Sequence, residues 1–167
     1  MSAEGIEFRH AAPQEVGAMA LVLARANAQR DGSPLPVGIG DSQVLEMQER
    51  MDRANVWTYV AADGEEIAGF ALGHPRTEEE QPATDTDTEH LSFLMIEPDY
   101  WGRHIASRLL DLVADRARIA GRSRLTLWTR HEDNTHARNV YEHKGFALTR
   151  LTRDSPYGQQ VHYQLDL

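Results

Sequence analysis

The sequence predicts an α/β (α+β) chain: a mixed, mostly antiparallel seven-stranded sheet flanked by about four helices, with one parallel strand pair at its centre. Three observations lead there. Seven short runs alternate apolar and polar residues with period two or are continuously apolar, the patterns of half-buried and fully buried strands. Other segments repeat their apolar residues at three and four, as an amphipathic helix does. One of these helices joins the fourth run to the fifth, and such a connection is a right-handed crossover between parallel strands.

Taken in order, residues 6–11 alternate up to Pro13 and read as the first strand. Val16, Met19, Ala20, Leu23 and Ala24 share one helical face that runs to about Gln29. Residues 31–40 hold Gly32, Pro34, Pro36, Gly38 and Gly40 and must be a loop. Asp41 or Ser42 can cap a second helix carrying Val44, Leu45, Met47 and Met51. Runs 56–62 and 66–72 flank Asp63-Gly64, a hairpin signal. Residues 77–88 are polar and acidic and read as a mobile connection, followed by a strand over 89–96. A helix from about Arg103 to Ala120 buries Ala106, Leu109, Leu110, Val113 and Ala117, with Gly121 placed to end it. Strand five covers 124–129, Asp133 or Asn134 opens a short helix ending at Gly145, and strands over 146–151 and 160–165 close the chain.

Composition narrows the function classes. At 167 residues the chain suits a single domain, 1–167, since domains most often hold about 100–150 residues. No apolar run approaches the roughly 18 residues of a membrane span, and the first residues lack the basic flank and apolar segment of a signal peptide. With no cysteine, disulfides, thiolate metal sites and a cysteine nucleophile are excluded, and a cytoplasmic protein is expected. The net charge of −9 argues against nucleic acid as a partner. That average hides a contrast. Arg103, Arg108, Arg116, Arg118, Arg122 and Arg124 outnumber Asp111 and Asp115 on one segment, whereas Glu78, Glu79, Glu80, Asp85, Asp87, Glu89, Glu97 and Asp99 crowd another. An anion beside the first and a cation near the second would each be favoured.

The junction between strand four and the third helix carries the first chemical signal. Leu91-Ser92-Phe93-Leu94-Met95-Ile96 passes through Glu97-Pro98-Asp99-Tyr100 into Trp101-Gly102-Arg103-His104-Ile105-Ala106-Ser107. Free N–H groups at a helix start, aligned with the positive end of the dipole, hold a phosphate without a dedicated cationic pocket.

These residues resemble the GCN5-related N-acetyltransferase (GNAT) superfamily, over nearly the whole chain. The family's acyl-CoA motif, Gln/Arg-x-x-Gly-x-Gly/Ala, falls on residues 101–106, with Trp101 in place of Gln or Arg, His104 in place of the central Gly, and Ala106 matching. A second signature falls on Asn134, Ala137, Tyr141, Gly145 and Phe146. The resemblance implies acetyl-CoA as co-substrate, with its pantetheine arm on Leu94, Met95 and Ile96. Its pyrophosphate would lie on Trp101, Gly102, Arg103, His104, Ile105, Ala106 and Ser107, with Asn134 and Arg138 also on the cofactor side. It implies Tyr141 as the acid that protonates the departing thiolate and the Met95 or Ile96 N–H as oxyanion donor.

The base is open among His90, whose ionisation range suits proton transfer near neutral pH, its neighbour Glu89 on the opposite strand face, Glu97 and a water relay. His131 and His136 are five apart rather than four, so no metal site is expected. Direct attack by a primary amine of a small molecule or peptide is the expected reaction. A CoA-binding module without turnover is the alternative that the Trp101 and His104 departures motivate. The acceptor pocket is expected from residues 31–40, the strand around His90 and residues 155–159. The C-terminal strands are candidates for pairing in a twofold homodimer.

Overall fold

In order along the chain come β1 (Glu7–His10), α1 (Val16–Asp31), α2 (Asp41–Met51), β2 (Trp57–Asp63), β3 (Glu66–Pro75), β4 (Thr88–Ile96), α3 (Ile105–Ile119), β5 (Arg124–Arg130), α4 (Thr135–His143), β6 (Ala147–Ser155) and β7 (Gly158–Asp166), in a computed structural model that describes residues 4–76, 87–132 and 134–167. The strands form one sheet in the order β1-β2-β3-β4-β5-β7-β6. β4 and β5 are its parallel pair, in register from Thr88↔Arg124 to Leu91↔Leu127, and β1–β2, β5–β7 and β6–β7 run antiparallel. The predicted seven-stranded, mostly antiparallel architecture with a parallel pair inside is therefore the one adopted. Among the described residues no helix is long and apolar enough to cross a membrane.

The chain gathers into two compact units, one of residues 1–72 and 93–109, the other of residues 73–92 and 110–167. In the first, Met19, Ala20 and Val22 of α1, Met47 of α2, Val60 and Ala62 of β2, and Ile67, Phe70 and Leu72 of β3 make one apolar cluster, against which Phe93 and Met95 of β4 pack. Burying each larger side chain there contributes roughly 1.5–3 kcal/mol. In the second, Leu125 and Leu127 of β5 and His162 and Tyr163 of β7 are buried at the centre of the strand pairing. α3 ends in the predicted manner. Gly121 adopts φ 77°, and the Arg116, Ala117 and Arg118 carbonyls accept from the Ala120, Arg122 and Gly121 N–H groups.

Three local expectations change. Gly40, not Asp41 or Ser42, caps α2, and its N–H donates to Gln43 Oε1 at 3.0 Å. Asp41 enters the first turn, where its charge complements the dipole. The last two strands are longer than their apolar residues suggested. They continue to Ser155 and from Gly158 because cross-strand polar pairs such as Arg153 Nε–Gln160 Oε1, 2.6 Å, sustain them where no apolar alternation does. β6 also bulges between Leu148 and Thr152, where Thr149 turns in to His162. Asp133 and residues 77–86 of the acidic connection lie outside the described residues.

Candidate active site

In the first unit, the end of β4 is fixed from several directions. The Glu97 N–H donates to the Ala68 carbonyl of β3 at 2.8 Å, and the Tyr100 and Trp101 N–H groups close a short turn over Pro98–Tyr100. The Glu97 carboxylate is taken up by Arg25 of α1, whose Nε lies 2.8 and 3.0 Å from its two oxygens while Nη1 donates to the Pro36 carbonyl. Tyr100 is buried, and its hydroxyl lies 2.8 Å from Asp63 and 3.0 Å from Glu66. Burial and then these carboxylates push the phenol above its ordinary range. Trp101 is 43% exposed, and its indole N–H donates to the Ile96 carbonyl at 2.9 Å. A side chain thus bridges the end of the strand to the start of the loop.

The loop that follows holds two residues at positive φ. Gly102 has φ 82° and His104 φ 61°, flanking Arg103, whose guanidinium lies 5.0 Å over the Tyr100 ring. Positive φ is free for glycine but costs a side-chain-bearing residue roughly 1–2 kcal/mol, so His104 holds a glycine conformation under strain. A Cβ built on Gly102 would meet nothing within 4 Å, which leaves the backbone there open to a ligand. The helix ladder starts with Arg108 N–H on His104 O at 3.2 Å, and the first turn of α3 contains no acidic residue. Helix geometry points the N–H groups of that turn outward, and no acidic side chain of the turn itself competes for them. These features fit a pyrophosphate.

In the second unit the other predicted residues separate into two groups. Glu89 is 1% exposed and lies between Arg116 Nη1, 3.3 Å, and Arg122 Nε, 3.0 Å. A carboxylate so paired accepts from both guanidiniums and anchors β4 to the arginines that follow it. His90 is 3% exposed, with Nδ1 3.0 Å from Thr126 Oγ1 and its ring centroid 5.9 Å from that of His74. His74 also lies 2.9 Å from Ser92 Oγ. Neither His74 nor Ser92 was singled out in the sequence. His74 stands at the end of β3 beside Pro75, a position that reads as the close of a strand, and only its pairing across to β4 reveals it.

Tyr141 is buried on α4, its ring centroid 5.9 Å from those of Phe146 and Tyr163. Asn134, also buried, caps that helix and donates Nδ2 to Thr129 Oγ1 at 2.7 Å and to the Arg130 carbonyl at 2.9 Å. Arg138 donates Nε to the Tyr163 hydroxyl, which donates in turn to Glu142, and its Nη1 donates to the His131 carbonyl. Asn134 and Arg138 thus hold α4 to the end of β5 and to Tyr163 of β7.

The sequence profile of the acetyltransferase (GNAT) family matches residues 26–146. Comparison with curated proteins gives no match. Among solved structures, the chain is similar to an acetyltransferase from Thermus thermophilus (TM-score 0.71, 18% identity, 100% of both chains covered). It is also similar to the ribosomal-protein-S18-alanine N-acetyltransferase of Escherichia coli (0.72, 17%, 96% of this chain and 93% of that). A third likeness is to the PaiA N-acetyltransferase of Thermoplasma acidophilum in complex with coenzyme A (0.71, 11%, 96% and 99%).

Proposed function

Because the chain belongs to the acetyltransferase (GNAT) family, we propose that it is a single-domain N-acetyltransferase carrying an acetyl group from acetyl-CoA to a primary amine of a small molecule or peptide by direct attack. One observation carries the reading: the loop over residues 101–107 keeps positive φ at both Gly102 and His104, ahead of a helix start free of acidic residues. N–H groups from Gly102 to Ser107, with the Ser107 hydroxyl and Arg103, would hold the pyrophosphate. The backbone of Leu94, Met95 and Ile96, which continues β4 beyond its pairs with β5, would hold the pantetheine arm. Acetyl-CoA supplies the acyl group as a thioester, already activated for attack by an amine.

The chain's own residues do the rest. The N–H of Met95 or Ile96 stabilises charge on the acyl oxygen. The Tyr141 hydroxyl supplies the proton for the leaving sulfur. Asn134 and Arg138, on the cofactor side of α4, hold that helix through Thr129, Arg130, Tyr163 and His131. Glu89 anchors β4 between Arg116 and Arg122, Glu97 is held by Arg25, and the proton-accepting role is assigned to the face that carries His90. Two fold neighbours lend weight to the cofactor and the acceptor class, one solved with coenzyme A and one named for acetylating a ribosomal-protein alanine. A cytoplasmic location goes with the cysteine-free sequence. β6, at the end of the strand order, is the edge through which a twofold dimer would pair.

The test is calorimetry with acetyl-CoA followed by a free-thiol assay over a panel of primary amines and amine-bearing peptides. Binding with amine-dependent thiol release is expected. Binding without release favours a CoA-binding module, and absence of binding sinks both.

A further inference from the structure

Ser92 Oγ lies 2.9 Å from His74 Nε2, and His74 Nδ1 lies 2.8 Å from the Pro75 carbonyl oxygen. A carbonyl oxygen only accepts, so Nδ1 carries the proton. Neutral His74 therefore turns its Nε2 lone pair to Ser92, and the Ser92 hydroxyl donates to it. This is the arrangement in which a histidine receives a serine's proton, its tautomer and ring plane set by a third group. His90, the β4 histidine on the same cluster, is 3% exposed and has Nδ1 engaged with Thr126. His74 and Ser92 are each only half-buried, so a proton that reaches His74 can leave to water. Along β4, Ser92 stands two residues before Leu94, where the segment assigned to the pantetheine arm begins.

We propose that Ser92 and His74 are the proton relay that deprotonates the acceptor ammonium, a role that rests on the acetyltransferase reading. The step balances within the chain. The ammonium gives one proton to Ser92 Oγ as the Ser92 hydroxyl proton passes to His74 Nε2. The serine is unchanged, the amine gains the lone pair with which it attacks, and His74 becomes an imidazolium that keeps Nδ1–H on the Pro75 carbonyl. The His90 ring on β4 lies 5.9 Å from that of His74, centroid to centroid.

The experiment compares wild type, His74→Gln, Ser92→Ala and Ser92→Thr in kcat against pH, with acetyl-CoA affinity measured by calorimetry. Glutamine retains hydrogen bonding at both ends but cannot take a proton. His74→Gln and Ser92→Ala are expected to lose roughly 100-fold in kcat at pH 7, the low end of the range for general-base removal. Both should lose the near-neutral limb of the profile while binding acetyl-CoA within about twofold of wild type. Ser92→Thr, which restores a hydroxyl, is expected to recover most of the rate. An active wild type whose profile His74→Gln leaves in place overturns the relay alone, and so does loss of acetyl-CoA binding in parallel with rate, which marks a structural role. Imidazole nitrogen NMR on the wild type reads the tautomer without turnover, and protonation at Nε2 of neutral His74 also overturns it. A wild type that binds no acetyl-CoA and releases no thiol overturns the acetyltransferase reading first and the relay with it.

Discussion

Gly69 is the position where one methyl group should cost most. A Cβ built on it lies 2.7 Å from Ile96 Cδ1, 2.9 Å from the Met95 carbonyl oxygen and 3.5 Å from Ile96 Cα. The Ile96 side chain can rotate away. The Met95 carbonyl cannot, because the next hydrogen bond along, Glu97 N–H to Ala68 O at 2.8 Å, ties the same stretch of β4 to β3. Overpacking of this kind costs about 1–3 kcal/mol. Against it stands the roughly 0.4–1 kcal/mol by which alanine narrows the unfolded ensemble where its backbone conformation is tolerated. The expected net loss for Gly69→Ala is about 1–2 kcal/mol, or roughly 2–8 °C in Tm for a chain of this size. Gly17, in α1 with nothing within 4 Å of its Cβ, is the internal control, and Gly17→Ala should raise stability by up to ~1 kcal/mol. Thermal and urea unfolding of both variants measure the difference. Since Met95 and Ile96 carry the proposed oxyanion donors and part of the pantetheine path, Gly69→Ala should also lower kcat and weaken acetyl-CoA binding. A Gly69→Ala protein as stable as the Gly17→Ala control would refute the close approach of β3 to the end of β4.

At His104, glycine relieves the positive-φ strain and alanine keeps it, so His104→Gly should melt roughly 1–4 °C above His104→Ala, and the reverse order in calorimetry would count against the loop conformation. Tyr141→Phe should depress turnover by roughly 100-fold or more in a thiol-release assay, the low end for losing a general acid, with acetyl-CoA affinity within about twofold; an unchanged rate removes Tyr141 from the acid role. His162 is fully buried, and burial first and Arg153 second pull its ionisation down to about 4 from 6.5. The unfolded chain then binds a proton that the native chain refuses, so stability falls as pH drops from about 6.5 to 4, by up to roughly 3 kcal/mol. Urea unfolding across that window should show the decline, and His162→Gln should flatten it.

The strands and the parallel pair were legible because hydrophobic period, turn residues and crossover handedness act locally or through simple rules. The junction at residues 101–107 was legible for the same reason, since a turn leading into a helix is written in consecutive residues. Side-chain pairing between distant strands was not. His90 and Glu89 are neighbours in sequence, and alternation alone sends them to opposite faces. That Glu89 would meet Arg116 and Arg122, and His90 would meet Thr126 and His74, depends on register and helix placement that no local pattern carries. His74 was invisible for that reason: its chemistry comes from Ser92, 18 positions away. The extension of β6 and β7 to Ser155 and Gly158 was missed because polar cross-strand pairs leave no apolar period to read.

The two departures from the family motif act on different parts of the loop. At Trp101 the side chain is new, and its indole N–H finds a local acceptor in the Ile96 carbonyl, so the loop gains a bond at its entry. At His104 the backbone is what the motif asks for, and a histidine adopts it at a cost of roughly 1–2 kcal/mol. A phosphate held by N–H groups reads backbone conformation rather than side-chain identity. On that physics the substitutions alter stability and the surroundings of the loop more than its capacity to hold an anion. An acetyl-CoA affinity that His104→Gly leaves unchanged while raising Tm is the combination that separates these two effects.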